Sequence, residues 1–156
     1  MEEYVKRRPK KILFAQAKQD VLREKAIIKI LNELLPDTQI LKVVLIGSSV
    51  KGSFGMYELP GFRGSVYSDF DFIVFVKDEY EIPHWLQREP DGKPFPERQQ
   101  NLAYRQKKWL DDMYDAEIFF VRRSTWENTT LQNLGEAAGI PMTQKSLHKH
   151  LVIYET

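Results

Sequence analysis

Two aspartates one residue apart open an apolar run, Ser68-Asp-Phe-Asp-Phe-Ile-Val-Phe-Val76, and a glutamate interrupts another, Ala116-Glu-Ile-Phe-Phe-Val121. Carboxylates are hard oxygen ligands of the kind Mg²⁺ takes. In an extended strand residues i and i+2 leave the same face, so Asp69 and Asp71 project together and can bridge a pair of divalent ions. Glu117, on a neighbouring strand, would complete the inner ligand set, and Asp115, two residues earlier on the same face, is a rival for that place. Asp71 lies inside its run, where an isolated carboxylate is unfavourable unless something partners it. Upstream, Gly47-Ser48-Ser49-Val50-Lys51-Gly52 follows a third apolar run. Backbone N–H groups behind a Gly-Ser turn suit the oxygens of a triphosphate. The turn imitates a P-loop, but its lysine stands before the second glycine rather than after it, so the side chain cannot take the P-loop role.

Several elements must hold these groups in place. Ile40 to Ile46, rich in β-branched residues and ending on Gly47, reads as a strand buried on both faces. Asp69 to Val76 reads as a second strand, with Asp69, Asp71, Ile73 and Phe75 on one face and Phe70, Phe72, Val74 and Val76 on the other. Ala116 to Val121 is a third, and Leu151 to Tyr154 a short last one. Ahead of them, Leu13, Ala17, Val21, Ile27, Ile28, Leu31, Leu34 and Leu35 recur at helical spacing, so one long amphipathic helix is expected from Ile12 to Leu35, stopped by Pro36. Glu97 to Asp112 is helical in composition, anchored by Leu102, Trp109 and Leu110. Ser124-Thr-Trp-Glu127 has capping-box spacing and opens a helix to about Ala138. Residues 78–96, with four prolines, form a surface excursion.

The 156 residues fit one domain, taken as 1–156, and the composition is that of a globular chain. A formal charge of +1 argues against bulk attraction to nucleic acid or anionic membrane. The basic stretch Lys6 to Lys11 reads as a solvated terminus, residues 1–11, with phosphate or RNA contact as its other use. The absence of cysteine excludes disulfides, thiolate metal sites and a thiol nucleophile. His84, His148 and His150 read as structural or surface residues. The start carries no apolar leader and no run approaches the roughly 18 apolar residues of a membrane span, so a cytoplasmic protein without membrane contact is expected.

The ordered set Val43-Val-Leu-Ile-Gly-Ser48, Ser68-Asp-Phe-Asp71 and Ala116-Glu117 resembles the DNA polymerase β-like nucleotidyltransferase superfamily, in particular its short single-domain members, over roughly residues 12 to 138. The resemblance implies an α/β (α+β) domain with a small mixed or antiparallel sheet flanked by helices. It implies transfer of a nucleoside monophosphate from a nucleoside triphosphate, with ATP as the expected donor, to a hydroxyl acceptor. Asp69 and Asp71 would hold two Mg²⁺, or Mn²⁺ in their place. Glu117 would complete the second metal site and help deprotonate the attacking hydroxyl. Gly47, Ser48 and Lys51 would grip the β- and γ-phosphates, and Ser68 stands where the family often has a serine before the first aspartate. Glu117 occupies a place where aspartate is commoner, and residues 56–67 read as an insertion relative to the compact members. Family acceptors include nucleic-acid ends, small hydroxyl compounds and proteins. Without an evident extra helical module, a partner protein is favoured and RNA is kept open, with residues 56–67 and 78–96 setting specificity. The alternative is a non-catalytic nucleotide-binding or antitoxin-type module of the same fold.

Overall fold

The computed structural model of the chain describes residues 10–60, 65–83, 86, 103–127 and 149–156. Most of the basic stretch, the centre of the 56–67 insertion, most of 84–102, the helix expected beyond Glu127, and His84 and His148 lie outside them.

The architecture is mixed α and β. Its elements run β1 (Lys11–Leu13), α1 (Gln16–Leu34), β2 (Ile40–Ile46), α2 (Ser48–Lys51), β3 (Gly55–Tyr57), β4 (Phe70–Val76), β5 (Ala103–Leu110), β6 (Tyr114–Arg122), α3 (Arg123–Trp126) and β7 (His150–Glu155). Five strands form one sheet in the order β5-β6-β4-β2-β7, and β1 pairs with β3 in a separate two-stranded ladder. Within the large sheet only β4 and β6 are parallel; the other neighbours are antiparallel. No helix among the described residues is long and apolar enough to cross a membrane.

The apolar runs form strands because they can be covered on both faces. Val43, Val44, Leu45, Ile46, Phe72, Ile73 and Val74 are at most 2% exposed. One face, with Val43, Leu45, Phe70, Phe72, Val74, Ile118 and Phe120, makes the core with Leu22, Ala26, Ile30 and Leu34 of α1. Each of these side chains larger than alanine contributes about 1.5–3 kcal/mol by leaving water. The stripe that α1 buries is Gln19, Leu22, Ala26, Ile30 and Leu34. That differs from the expected one, of which only Leu34 is shared. Val21 and Ile28 are 59% and 55% exposed, while Ile27, Leu31 and Leu35 pack at the margin.

Two expectations are corrected here. The first helix starts at Gln16, not Ile12, because residues 11–13 are taken up by the ladder with Gly55 to Tyr57, where Ile12 faces Met56. The stretch 97–112, read as a helix, contains β5 instead. Its Arg, Gln and Lys residues favour helix in isolation, but pairing with β6 and burial of Tyr104, Trp109 and Leu110 outweigh that propensity. Between β5 and β6 three residues, Asp111 to Met113, make the turn: Asp111 and Asp112 both have positive φ, +54° and +55°, and the Met113 N–H donates to the Leu110 carbonyl at 3.0 Å. The expected last strand is present as β7, pairing with β2 at the sheet edge.

Candidate metal centre

The sheet register assembles the acids. Asp71 of β4 faces Glu117 of β6 in the parallel pair, and Glu117 faces Arg105 of β5 in the antiparallel one. On the other side Ile46 of β2 faces Asp71, so Gly47, the next residue, is delivered beside that carboxylate. A Cβ at Gly47 would lie 2.6 Å from Asp71 Oδ2, and its φ of +85° is one that L side chains rarely adopt. Glycine is what lets the turn approach the acid. Further along the same face the rows become apolar, Ile73 beside Phe119 and then Phe75 beside Val121, so the acids stand where an otherwise apolar face opens.

Asp69 lies immediately before β4 and joins the group. One carboxylate oxygen from each of Asp69, Asp71 and Glu117 lies within 4.8 Å of the others. Glu117 is 7% exposed, whereas Asp69 and Asp71 are half-buried. Three anions so close repel one another unless a cation lies among them. An all-oxygen set of this kind fits a hard divalent ion such as Mg²⁺ or Mn²⁺.

The rival carboxylate, Asp115, is turned to another use. The Arg105 Nη2 donates to Asp115 Oδ2 at 2.8 Å, and the Lys108 backbone N–H donates to Asp115 Oδ1 at 2.8 Å. Arg105 also reaches the triad: Nη1 donates to Asp69 Oδ2 at 3.2 Å and lies 3.9 Å from Glu117 Oε2. Arg105 is 2% exposed. A buried charge needs partners of opposite sign, and Arg105 and the acids supply them to each other. The sequence reading missed Arg105, because the residue falls in the stretch taken as a helix. No local pattern marks it: the stretch Ala103 to Leu110 does not alternate, and a register shift between Gln106 and Leu110 separates Arg105 from the turn.

The remaining expected residues divide. Gly47 and Ser48 open the short helix α2, and Ser48 is half-buried. Lys51 is its exposed last residue. Ser68 is 5% exposed and is tied to β3: its N–H donates to the Gly55 carbonyl at 2.9 Å and its Oγ accepts from the Gly55 N–H at 3.0 Å. It thereby fixes the backbone from which Asp69 projects. Ser49, not singled out in the sequence, is buried with its Oγ lacking a hydrogen-bond partner.

No protein-family model matches the chain, and no curated protein matches it.

Proposed function

We propose that the protein is a metal-dependent nucleotidyltransferase that moves a nucleoside monophosphate from a nucleoside triphosphate, ATP first among candidates, to a hydroxyl acceptor. The observation that supports this reading is the convergence of Asp69, Asp71 and Glu117 within 4.8 Å beside Gly47. Asp69 and Asp71 would hold the divalent ions, two of them by the resemblance, and Glu117 would complete the ligand set. A metal bound there supplies positive charge to the triphosphate and the attacking oxygen. Glu117 receives the acceptor's proton as the hydroxyl oxygen forms its bond to the α-phosphorus. The bond from that phosphorus to the β-phosphate oxygen breaks, and pyrophosphate leaves with the electron pair. Gly47 keeps the turn close to Asp71, and the N–H groups of Ser48 and Ser49, which open α2 without intrahelical acceptors, face the task of binding phosphate oxygens. Lys51 adds charge from the exposed end of that turn. A partner protein or an RNA is the acceptor class, in a cytoplasmic setting where nucleotide is at hand.

A second reading, a non-catalytic nucleotide-binding or antitoxin-type module, is favoured by the Arg105 contacts, because a self-compensated acid cluster also serves structure alone. One experiment separates the two. The protein is incubated with each α-labelled nucleoside triphosphate, Mg²⁺ or Mn²⁺, and cell extract, and the label is followed into protein, RNA and small molecules. Transfer that vanishes with EDTA and in a folded Asp71→Asn variant supports the enzyme. Nucleotide binding with no label transferred under either metal supports the module.

A further inference from the structure

We propose that Arg105 is a built-in cation that competes with the divalent metal for Asp69 and Glu117, and that Asp115 sets how far it reaches into the site. The inference rests on the reading of the triad as a metal centre. It concerns which residues govern cation entry.

The distances are graded. Arg105 is held most closely by Asp115, at 2.8 Å, less closely by Asp69, at 3.2 Å, and only at ion-pair range by Glu117, at 3.9 Å. Its Nη1 therefore lies against two of the three carboxylates that a metal would join. Asp115 is itself anchored, since its other oxygen accepts the Lys108 N–H, and Lys108 has a φ of +50° in a part of β5 where the pairing with β6 shifts register. The Arg105 Nε is buried and without a hydrogen-bond partner, so the guanidinium is seated by its two terminal nitrogens alone. Such a seat can tilt. Metal entry breaks the long contacts to Asp69 and Glu117 and leaves the short one to Asp115.

The arrangement has two consequences. With no metal, Arg105 offsets the repulsion among the acids. With metal, the same residue is a rival positive charge a few ångströms away, which lowers affinity. An Arg105 that merely supported the structure would do the opposite, because its loss would disorder the acids and weaken binding. The sign of the effect therefore identifies the role.

The test is Mn²⁺ binding by the whole chain, followed by electron paramagnetic resonance of the free ion, in wild type, Arg105→Gln, Arg105→Lys and Asp115→Asn, with circular dichroism as the check on folding. Arg105→Gln is expected to bind about tenfold tighter or more, because one competing charge is gone. Arg105→Lys keeps the charge and stays near wild type. Asp115→Asn frees the guanidinium to settle on Asp69 and Glu117 and binds several-fold more weakly. Should Arg105→Gln not fold, the wild type answers directly: the Arg105 side-chain ¹⁵N resonances, identified by their loss in Arg105→Lys, shift as Mg²⁺ saturates the protein. A folded Arg105→Gln that binds Mn²⁺ as wild type does, or more weakly, overturns the proposal and leaves the metal-centre reading standing. So do unmoved Arg105 resonances at Mg²⁺ saturation. No Mn²⁺ uptake by wild type or by folded Arg105→Gln overturns both.

Discussion

At Gly47 two constraints coincide, a φ of +85° and an Asp71 oxygen 2.6 Å from where a Cβ would be. Gly52, at the other end of α2, has a φ of +79° but only Gln16 Oε1, at 3.6 Å, near the corresponding position. The pair separates strain from crowding. Gly52→Ala is expected to cost about 1–2 kcal/mol, the strain alone. Gly47→Ala adds the clash and is expected to cost about 2–4 kcal/mol. Only the Gly47 variant pushes the Asp71 carboxylate aside, so it alone loses Mn²⁺ affinity. Urea denaturation gives the first comparison and Mn²⁺ titration the second; equal affinities in the two variants would refute the close-approach argument. The acids themselves were legible in the sequence because strand alternation at Asp69 and Asp71 is a local property. Choosing between Glu117 and Asp115 was not, since it depends on Arg105, whose contacts come from a strand pairing that no local pattern reveals.

At the scale of elements, a buried polar side chain ties α1 to the residues that flank the β1–β3 ladder. Gln19, 4% exposed, donates from Nε2 to the Phe14 carbonyl at 2.8 Å and accepts the Phe54 N–H on Oε1 at 3.1 Å. Phe54 in turn stacks on Phe70 with ring centroids 4.7 Å apart, one residue from Asp71. Gln19→Leu fills much the same volume but strands a buried donor and acceptor, for an expected loss of about 2–4 kcal/mol. Hydrogen exchange at the Phe54 amide should accelerate more than exchange in β2, and an unchanged Phe54 rate would show that the bond carries no weight. A second inter-element contact titrates. Tyr80, after β4, stacks on Phe120 of β6 at 5.5 Å, and burial, followed by the Asp37 carboxylate, pushes its phenol up to about 12. The folded value lies above the ordinary value of about 10, so this contribution is complete below that pH and is lost as the pH climbs towards 12. Tyr80→Phe keeps the ring and removes the ionisation. The stability difference between wild type and variant should therefore shift against the wild type only at alkaline pH, and a difference flat from pH 8 to 11.5 would contradict the burial argument. The helix–strand misreading of residues 103–110 belongs to this scale, because charged helix-forming residues become a strand only when a neighbouring strand and the core make it so.

For the whole molecule, the runs Ile40 to Ile46 and Phe70 to Val76 announced a layered α and β fold, since runs so apolar must be covered on both sides. The order β5-β6-β4-β2-β7 and the parallel β4–β6 pair were not legible, because they follow from which strands meet after the chain has turned back. That order has a thermodynamic consequence: the three acids come from two strands and the segment entering one of them, so the site exists only in the folded chain. A cation that binds the triad binds the native state and not the unfolded one, and stability must rise with its concentration. At about 100 times its dissociation constant the gain is about 2.7 kcal/mol. For a chain of this size each kcal/mol moves the midpoint by about 2–4 °C. Mn²⁺ at that level is therefore expected to raise the thermal midpoint by about 5–10 °C, and EDTA to return it. Monovalent salt at matched ionic strength should not reproduce the shift, since screening acts on the whole surface and not on one site. Folded Asp71→Asn, with one ligand neutralised, should show little or none of it. Differential scanning calorimetry of both proteins, with and without Mn²⁺, decides the matter: equal shifts in the two would place the stabilising cation elsewhere on the molecule.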